Sequence, residues 1–238
     1  MIRNVTLVCA LLSVAVLVLG AVVAAIASQF EPVEPTSPPN FLFRGFRVRP
    51  VAMELALNPE EIRRILGPYN QRNRALMRAV LGVGFLLIVT WCLLSVTTAF
   101  LMWNDSFAYH RVLAGLTVGL ACVVAYCGRR SNSRIRRILS MRLMMSPASD
   151  VEDHARACHR AATIKWSLIF TVMLLASTLF FLGFGRWYSI LGALLVITAL
   201  RGFSTLWRDG KIEHVLNYIL LTVAVMAIAY LFRAATYQ

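Results

Sequence analysis

The sequence predicts an all-α integral membrane protein, a bundle of about six transmembrane helices with short amphipathic helices at the interface. Three observations predict it. The mean hydropathy is +0.69 and 59% of the 238 residues are hydrophobic, well above the roughly 45–50% apolar content of a soluble domain. Charged residues make up only 15% of the chain and gather between apolar blocks instead of spreading along it. Those blocks approach the length of about 20 residues that a helix needs to cross a hydrocarbon core of about 30 Å.

Taken in order, residues 1–27 form the first transmembrane helix, with Arg3 ahead of an apolar run from 5 to 27. A signal peptide is the rival reading, because Ala25-Ile26-Ala27 before Ser28 has the A-x-A cleavage pattern. The run is longer than the roughly 7–15 apolar residues of a signal peptide, which favours a retained helix. Residues 28–79 are a Pro/Arg-rich linker. Pro32, Pro35, Pro38, Pro39 and Pro50 keep its first part extended. Arg44, Arg47 and Arg49 alternate with Phe41, Phe43 and Phe46, a pattern open to two readings, a segment on the membrane surface or a solvated linker.

Within the linker, Asn58-Pro59-Glu60-Glu61 is a helix start: Asn58 caps, Pro59 suits the first helical position, and the glutamates favour the positive end of the dipole. Ile62, Ile65 and Leu66 share a face opposite Arg63 and Arg64, and Gly67-Pro68 stops the helix. Such an amphipathic helix is expected at the interface. The stretch ELALNPEEIRRILG, residues 54–67, resembles a pattern in uncharacterised bacterial multi-pass membrane proteins. The resemblance implies a bacterial membrane protein and carries no activity.

Residues 80–127 hold the second and third spans, at 80–103 and 107–127. Trp103 stands at the edge where indoles settle. Gly115 and Gly119 form a small-xxx-small pair, expected to serve a close helix approach within the chain. Residues 128–163 are a basic cytoplasmic loop, and residues 164–238 hold the fourth to sixth spans at 164–184, 187–206 and 215–232. The five cysteines, Cys9, Cys92, Cys122, Cys127 and Cys158, form no CxxC pair and read as small buried thiols, not a disulfide framework.

Positive charge orients the chain. Six spans put Arg44, Arg47, Arg49, Arg63, Arg64, Arg72, Arg74 and Arg78 on one side with Arg129, Arg130, Arg134, Arg136, Arg137, Arg142, Arg156, Arg160, Arg208 and Lys211. The other side holds Arg3, Arg111, Arg186 and Arg233, so the balance is eighteen to four. Basic loops stay in the cytoplasm, which predicts a multi-pass protein of the cell membrane, a bacterial inner membrane, with both termini outside. A net charge of +13 suggests nucleic acid in a soluble protein. Beside apolar spans it points to anionic lipid headgroups instead, and no nucleic acid is expected.

Three sets of residues are candidates for chemistry. Residues 132–145 read as a basic amphipathic helix, with Ile135, Ile138, Leu139 and Met145 opposite Arg134, Arg136, Arg137 and Arg142. Together with Arg129 and Arg130 these arginines are the expected lipid- or partner-binding set, the helix lying on an anionic leaflet or against another membrane or cytoplasmic protein. Arg201 is the charge deepest within an expected span and is the transport candidate, although an arginine near a span's end also reaches the interface by snorkelling. Asp150, His154 and Cys158 are spaced i, i+4, i+8 and are the metal candidates. Their segment has a competing reading as an ordinary helix start, with Ser149 and Glu152 as a capping box.

No expected span contains Asp or Glu, and the chain has no phosphate-binding glycine loop, HExxH or GxSxG. No catalytic residue or cofactor is assigned, and the pattern points away from an enzyme. The preferred expectation is a structural, assembly or accessory membrane protein acting through its basic cytoplasmic loops, in homo-oligomeric form or with another protein. A small oligomeric transporter or channel subunit for an anionic solute is the alternative, and a metal-dependent membrane enzyme the second alternative.

Overall fold

The computed structural model describes residues 2–27, 29–30, 53–54, 62, 71–103, 108–141, 148–183, 193–194, 196–198, 200–201 and 212–236. Five helices account for nearly all of them: α1 (Ile2–Ala27), α2 (Gln71–Trp103), α3 (Ala108–Ser140), α4 (Ala148–Gly183) and α5 (Ile212–Thr236). Among the described residues there is no strand. Four stretches are long and apolar enough to cross a membrane, Asn4–Ala27, Gln71–Leu101, Arg111–Ser140 and Ser149–Leu179, and Leu220–Phe232 is a shorter apolar helix. The expected fifth span at 187–206 falls mostly outside the described residues, and those described within it are helical.

Helices α2, α3 and α4 run antiparallel in succession. Cys92 of α2 reaches the carbonyl of Ala121 on α3 at 3.3 Å, and Asn132 of α3 donates to the carbonyl of Leu81 at 3.2 Å, so rising numbers on one helix meet falling numbers on the other. The same reversal relates α3 to α4, through Ser131 with Cys158 and Arg134 with His154. α5 closes the bundle: Tyr230 shares a 2.8 Å hydrogen bond with Thr98 near the end of α2, and Leu220 lies on Gly20 of α1. A Cβ at Gly20 would stand 2.5 Å from a Leu220 methyl. Gly20 is therefore the glycine that lets two helices approach, whereas at Gly115 and Gly119 a Cβ would meet nothing within 4 Å among the described residues. The expected intramolecular use of that pair is not found there, because the two lie on the outward face of α3.

Two apolar cores follow. The first fills the bundle with Cys9, Val16, Leu94, Ala121, Phe170 and Tyr230, among others. Four of its buried hydroxyls are satisfied locally, Ser13 on the Cys9 carbonyl, Ser95 on Trp91, Thr98 on Leu94 and Thr117 on Leu113, whereas the buried Ser177 Oγ has no hydrogen-bond partner among the described residues. Without water, this back-bonding satisfies a hydroxyl inside an apolar helix. Leu11, Val18, Leu93, Phe100, Leu116 and Ile228 point outward, where lipid tails are an apolar solvent.

The second core corrects the expectation for the basic segment. At 1.5 Å per residue α3 and α4 are about 50 and 54 Å long, against a hydrocarbon thickness of about 30 Å. Both continue past the apolar region as a helical hairpin, so residues 128–140 extend a span and do not form a separate helix on the leaflet. The apolar face of that extension, Ile135, Ile138 and Leu139, is buried against Val151, Ala155 and Cys158 of α4 and Met77, Val80 and Leu81 of α2. A face sealed by protein cannot also dip into lipid. Phe30, Met53 and Ile62 join this core, which places the described parts of the first connection against the bundle. Of the expected amphipathic helix at 58–67 only Ile62 is among the described residues, and it is fully buried. At the tip Ser140 Oγ and the Met141 amide cap the Arg137 carbonyl, at 2.7 and 3.1 Å.

Truncating Ile138 to alanine removes buried methylenes and should destabilise the protein by about 2–5 kcal/mol. Ser133→Ala, on the exposed side of the same turn, should change stability by no more than about 0.5 kcal/mol. Thermal unfolding in detergent separates the two. Equal effects would show that the hairpin is not packed.

Candidate functional site

Where the second core meets the first, α4 carries a lysine on its inner face. Val151, Ala155, Cys158, Ala162, Lys165, Ile169 and Val172 recur at helical spacing and are all buried. Lys165 is 2% exposed, and an ammonium at that depth needs an anion. Glu54 supplies it. Its Oε2 accepts from Lys165 Nζ in a buried salt bridge and from Trp166 Nε1 at 3.0 Å. The ammonium also lies 4.8 Å from the centre of the Trp166 ring, in cation–π range. The aliphatic stem of Lys165 passes Gly128 with its Cδ 3.8 Å from where a Cβ would be. One carboxylate thus ties the first connection to α4 beside α3.

Around this lock the hairpin turns its charge outward. Arg129, Arg130, Arg136 and Arg137 are exposed on α3, as are Arg156 and Arg160 on α4, Arg156 pairing with Glu152 one turn back. Of the expected binding set, Arg129, Arg136 and Arg137 line one cleft with Asn132, Ser133, Ser140 and Phe85 of α2, a space of about 500 Å³. Arg130 lies outside the cleft lining. Arg134 faces the neighbouring helix, its Nη1 3.4 Å from His154 Nδ1. Arg142 lies outside the described residues.

The metal candidates are not brought together. Each four-residue step overshoots a full helical turn by about 40°, so Asp150 and Cys158 end up roughly 80° apart on α4. Asp150 is exposed, His154 faces Arg134, and Cys158 is buried beside Ser131 with 3.5 Å between Sγ and Oγ. Among the described residues no three His, Cys, Asp or Glu side chains gather to hold a metal ion. Arg201 is helical and exposed.

Neither Glu54 nor Lys165 stands out in the sequence as a site. Glu54 lies in the connecting segment and Lys165 at the mouth of a span, where a lysine is ordinarily solvated. The available signal is the stripe itself, since a lysine between Ala162 and Ile169 on the inner face implies a buried charge. Compared with known protein families, with characterised proteins and with solved structures, the chain matches none of them.

Breaking the lock on one side strands a charge. Lys165→Met should cost about 3–5 kcal/mol, while Lys165→Met combined with Glu54→Leu should recover most of that loss. A double-mutant cycle on detergent-solubilised protein checks this. Additive losses would mean that the two side chains do not interact.

Proposed function

We propose that this chain is a six-span protein of a bacterial inner membrane, of structural, assembly or accessory type, that works through its basic end, facing the cytoplasm. What carries the reading is the hairpin of α3 and α4. Its apolar face is closed inside the protein, so its outward arginines are its means of contact with other molecules. A rigid helical arm with a sealed interior and a cationic exterior suits binding to anionic surfaces, lipid headgroups or an acidic partner.

The six-span count rests on chain direction. α4 runs away from the basic end, whereas α5 starts there, since Leu220 meets Gly20 near the end of α1 and Tyr230 meets Thr98 near the far end of α2. The intervening chain joins the far end to the basic end, which a further span would do, and its described residues at 193–194, 196–198 and 200–201 are helical. Orientation rests on the eighteen-to-four bias of positive residues.

Replacing Arg129, Arg130, Arg136 and Arg137 together by glutamine should leave the spans folded and remove retention of anionic lipid or partner on purification in mild detergent. Unchanged retention overturns the reading. Sidedness has its own test: Ser140→Cys should react with a membrane-impermeant maleimide in inside-out vesicles and not in intact cells.

A further inference from the structure

We propose that the cleft between α2 and α3 at the basic end is a site for one anionic phospholipid, its phosphate held by Arg129, Arg136 and Arg137. Arg129 and Arg136, two turns apart, point the same way from α3, and Arg137 flanks them, all three lining the cleft with the hydroxyls of Ser133 and Ser140. Among the described residues none of the three arginines has a carboxylate partner, in contrast to Arg156 with Glu152 and Lys165 with Glu54. Unpaired guanidinium forks beside hydroxyl donors suit a phosphate, which accepts several charge-assisted hydrogen bonds at once.

The walls of the cleft specify a lipid. Phe85 gives it an apolar side, and the buried Asn132 holds α3 to the Leu81 carbonyl immediately below. Toward the far end of the bundle the same face of α3 continues as Tyr126, Cys122, Gly119 and Gly115, all exposed. The adjoining α2 exposes Leu86 and Leu93. At the two glycines this face is open, so an acyl chain has an apolar surface to lie along while its phosphate stays at the arginines. A soluble phosphate uses the arginines and leaves that surface uncovered, so the junction of basic cleft and exposed apolar face favours a lipid.

The inference rests on the reading of the basic end as the protein's working face, and the experiment separates the two. Native mass spectrometry of the full chain in mild detergent is titrated with dioleoylphosphatidylglycerol, dioleoylphosphatidylcholine and glycerol phosphate. One saturable phosphatidylglycerol adduct is expected, at least about tenfold tighter than phosphatidylcholine, whose phosphate is the same but whose choline cation the clustered arginines repel. Arg136→Gln with Arg137→Gln should abolish that preference. Arg78→Gln with Arg160→Gln, which removes the same charge from exposed positions elsewhere, should keep it. If the cleft variant does not fold, Ser133→Asp places a carboxylate among the arginines and should have the same effect. Equal weakening by both arginine pairs overturns the discrete site in favour of diffuse attraction. Binding of glycerol phosphate as tight as that of the lipid, or a lipid-free dimer closing over Gly115 and Gly119, overturns it as well. Equal retention of the two lipids by the unaltered protein defeats the broader reading.

Discussion

An ammonium that is 2% exposed cannot stay charged in a protein interior without a counter-ion, and much of the basic end is arranged around meeting that requirement. Glu54 comes from a connection separated from α4 by two spans, so the salt bridge fixes a contact that local sequence could not. Desolvating both groups costs several kcal/mol, and their attraction roughly offsets this only when the geometry is good and the remaining lone pairs are used. Here Trp166 supplies a second donor to the same oxygen and its ring faces the ammonium. Such a pair contributes little net stability, yet breaking it is expensive, so its effect is on which arrangement of the connection is allowed. Met53 and Ile62 bury beside it, and the charged contact positions an apolar one.

That arrangement explains why α3 and α4 can leave the hydrocarbon and remain packed. Helices emerging into water lose lipid as a solvent for their apolar residues, and a bare hairpin would have to bury them between two helices alone. Ile135, Ile138 and Leu139 instead find a third wall in α2 and a cover from Phe30, Met53 and Ile62. Each fully buried aliphatic side chain contributes about 1.5–3 kcal/mol, enough to fix the hairpin as an extension of the bundle. With the interior closed, the arginines occupy the outer face, and rigid positions on a helix make a cleft lined by three of them an ordered feature.

The apolar blocks were legible because membrane length and composition leave few alternatives. Of the arginines expected opposite the apolar stripe, Arg134, Arg136, Arg137 and Arg142, Arg136 and Arg137 are exposed, Arg134 faces α4, and Arg142 lies outside the described residues. What periodicity could not supply was the partner of that stripe. An amphipathic face over residues 132–140 looks the same whether it meets lipid or protein, and only the contacts of Ile138 and Leu139 with α2 and α4 decide. The spacing of Asp150, His154 and Cys158 left a metal site and an ordinary helix start as competing readings for a related reason: i, i+4, i+8 reads as one face on paper, but an α-helix carries it from solvent at Asp150 to the core at Cys158. Glu54 and Lys165 were illegible as a pair, since 111 residues separate them.

The location of the lock relative to the cleft has a consequence for the protein's working face. Gly128 adjoins the stem of Lys165, and Arg129 is its chain neighbour at the top of the cleft. A Cβ at Gly128 would stand 3.4 Å from an Ile88 methyl and 3.8 Å from the lysine Cδ, ordinary van der Waals contact, so Gly128 is where α3 packs on α2 and α4 at once. Because α3 is continuous through this point, Gly128 and Asn132, which holds the Leu81 carbonyl, fix the same stretch of helix from which Arg129, Arg136 and Arg137 project. The buried ion pair, between α4 and the first connection, thus lies against one side of the stretch of α3 whose other side carries the arginine cleft.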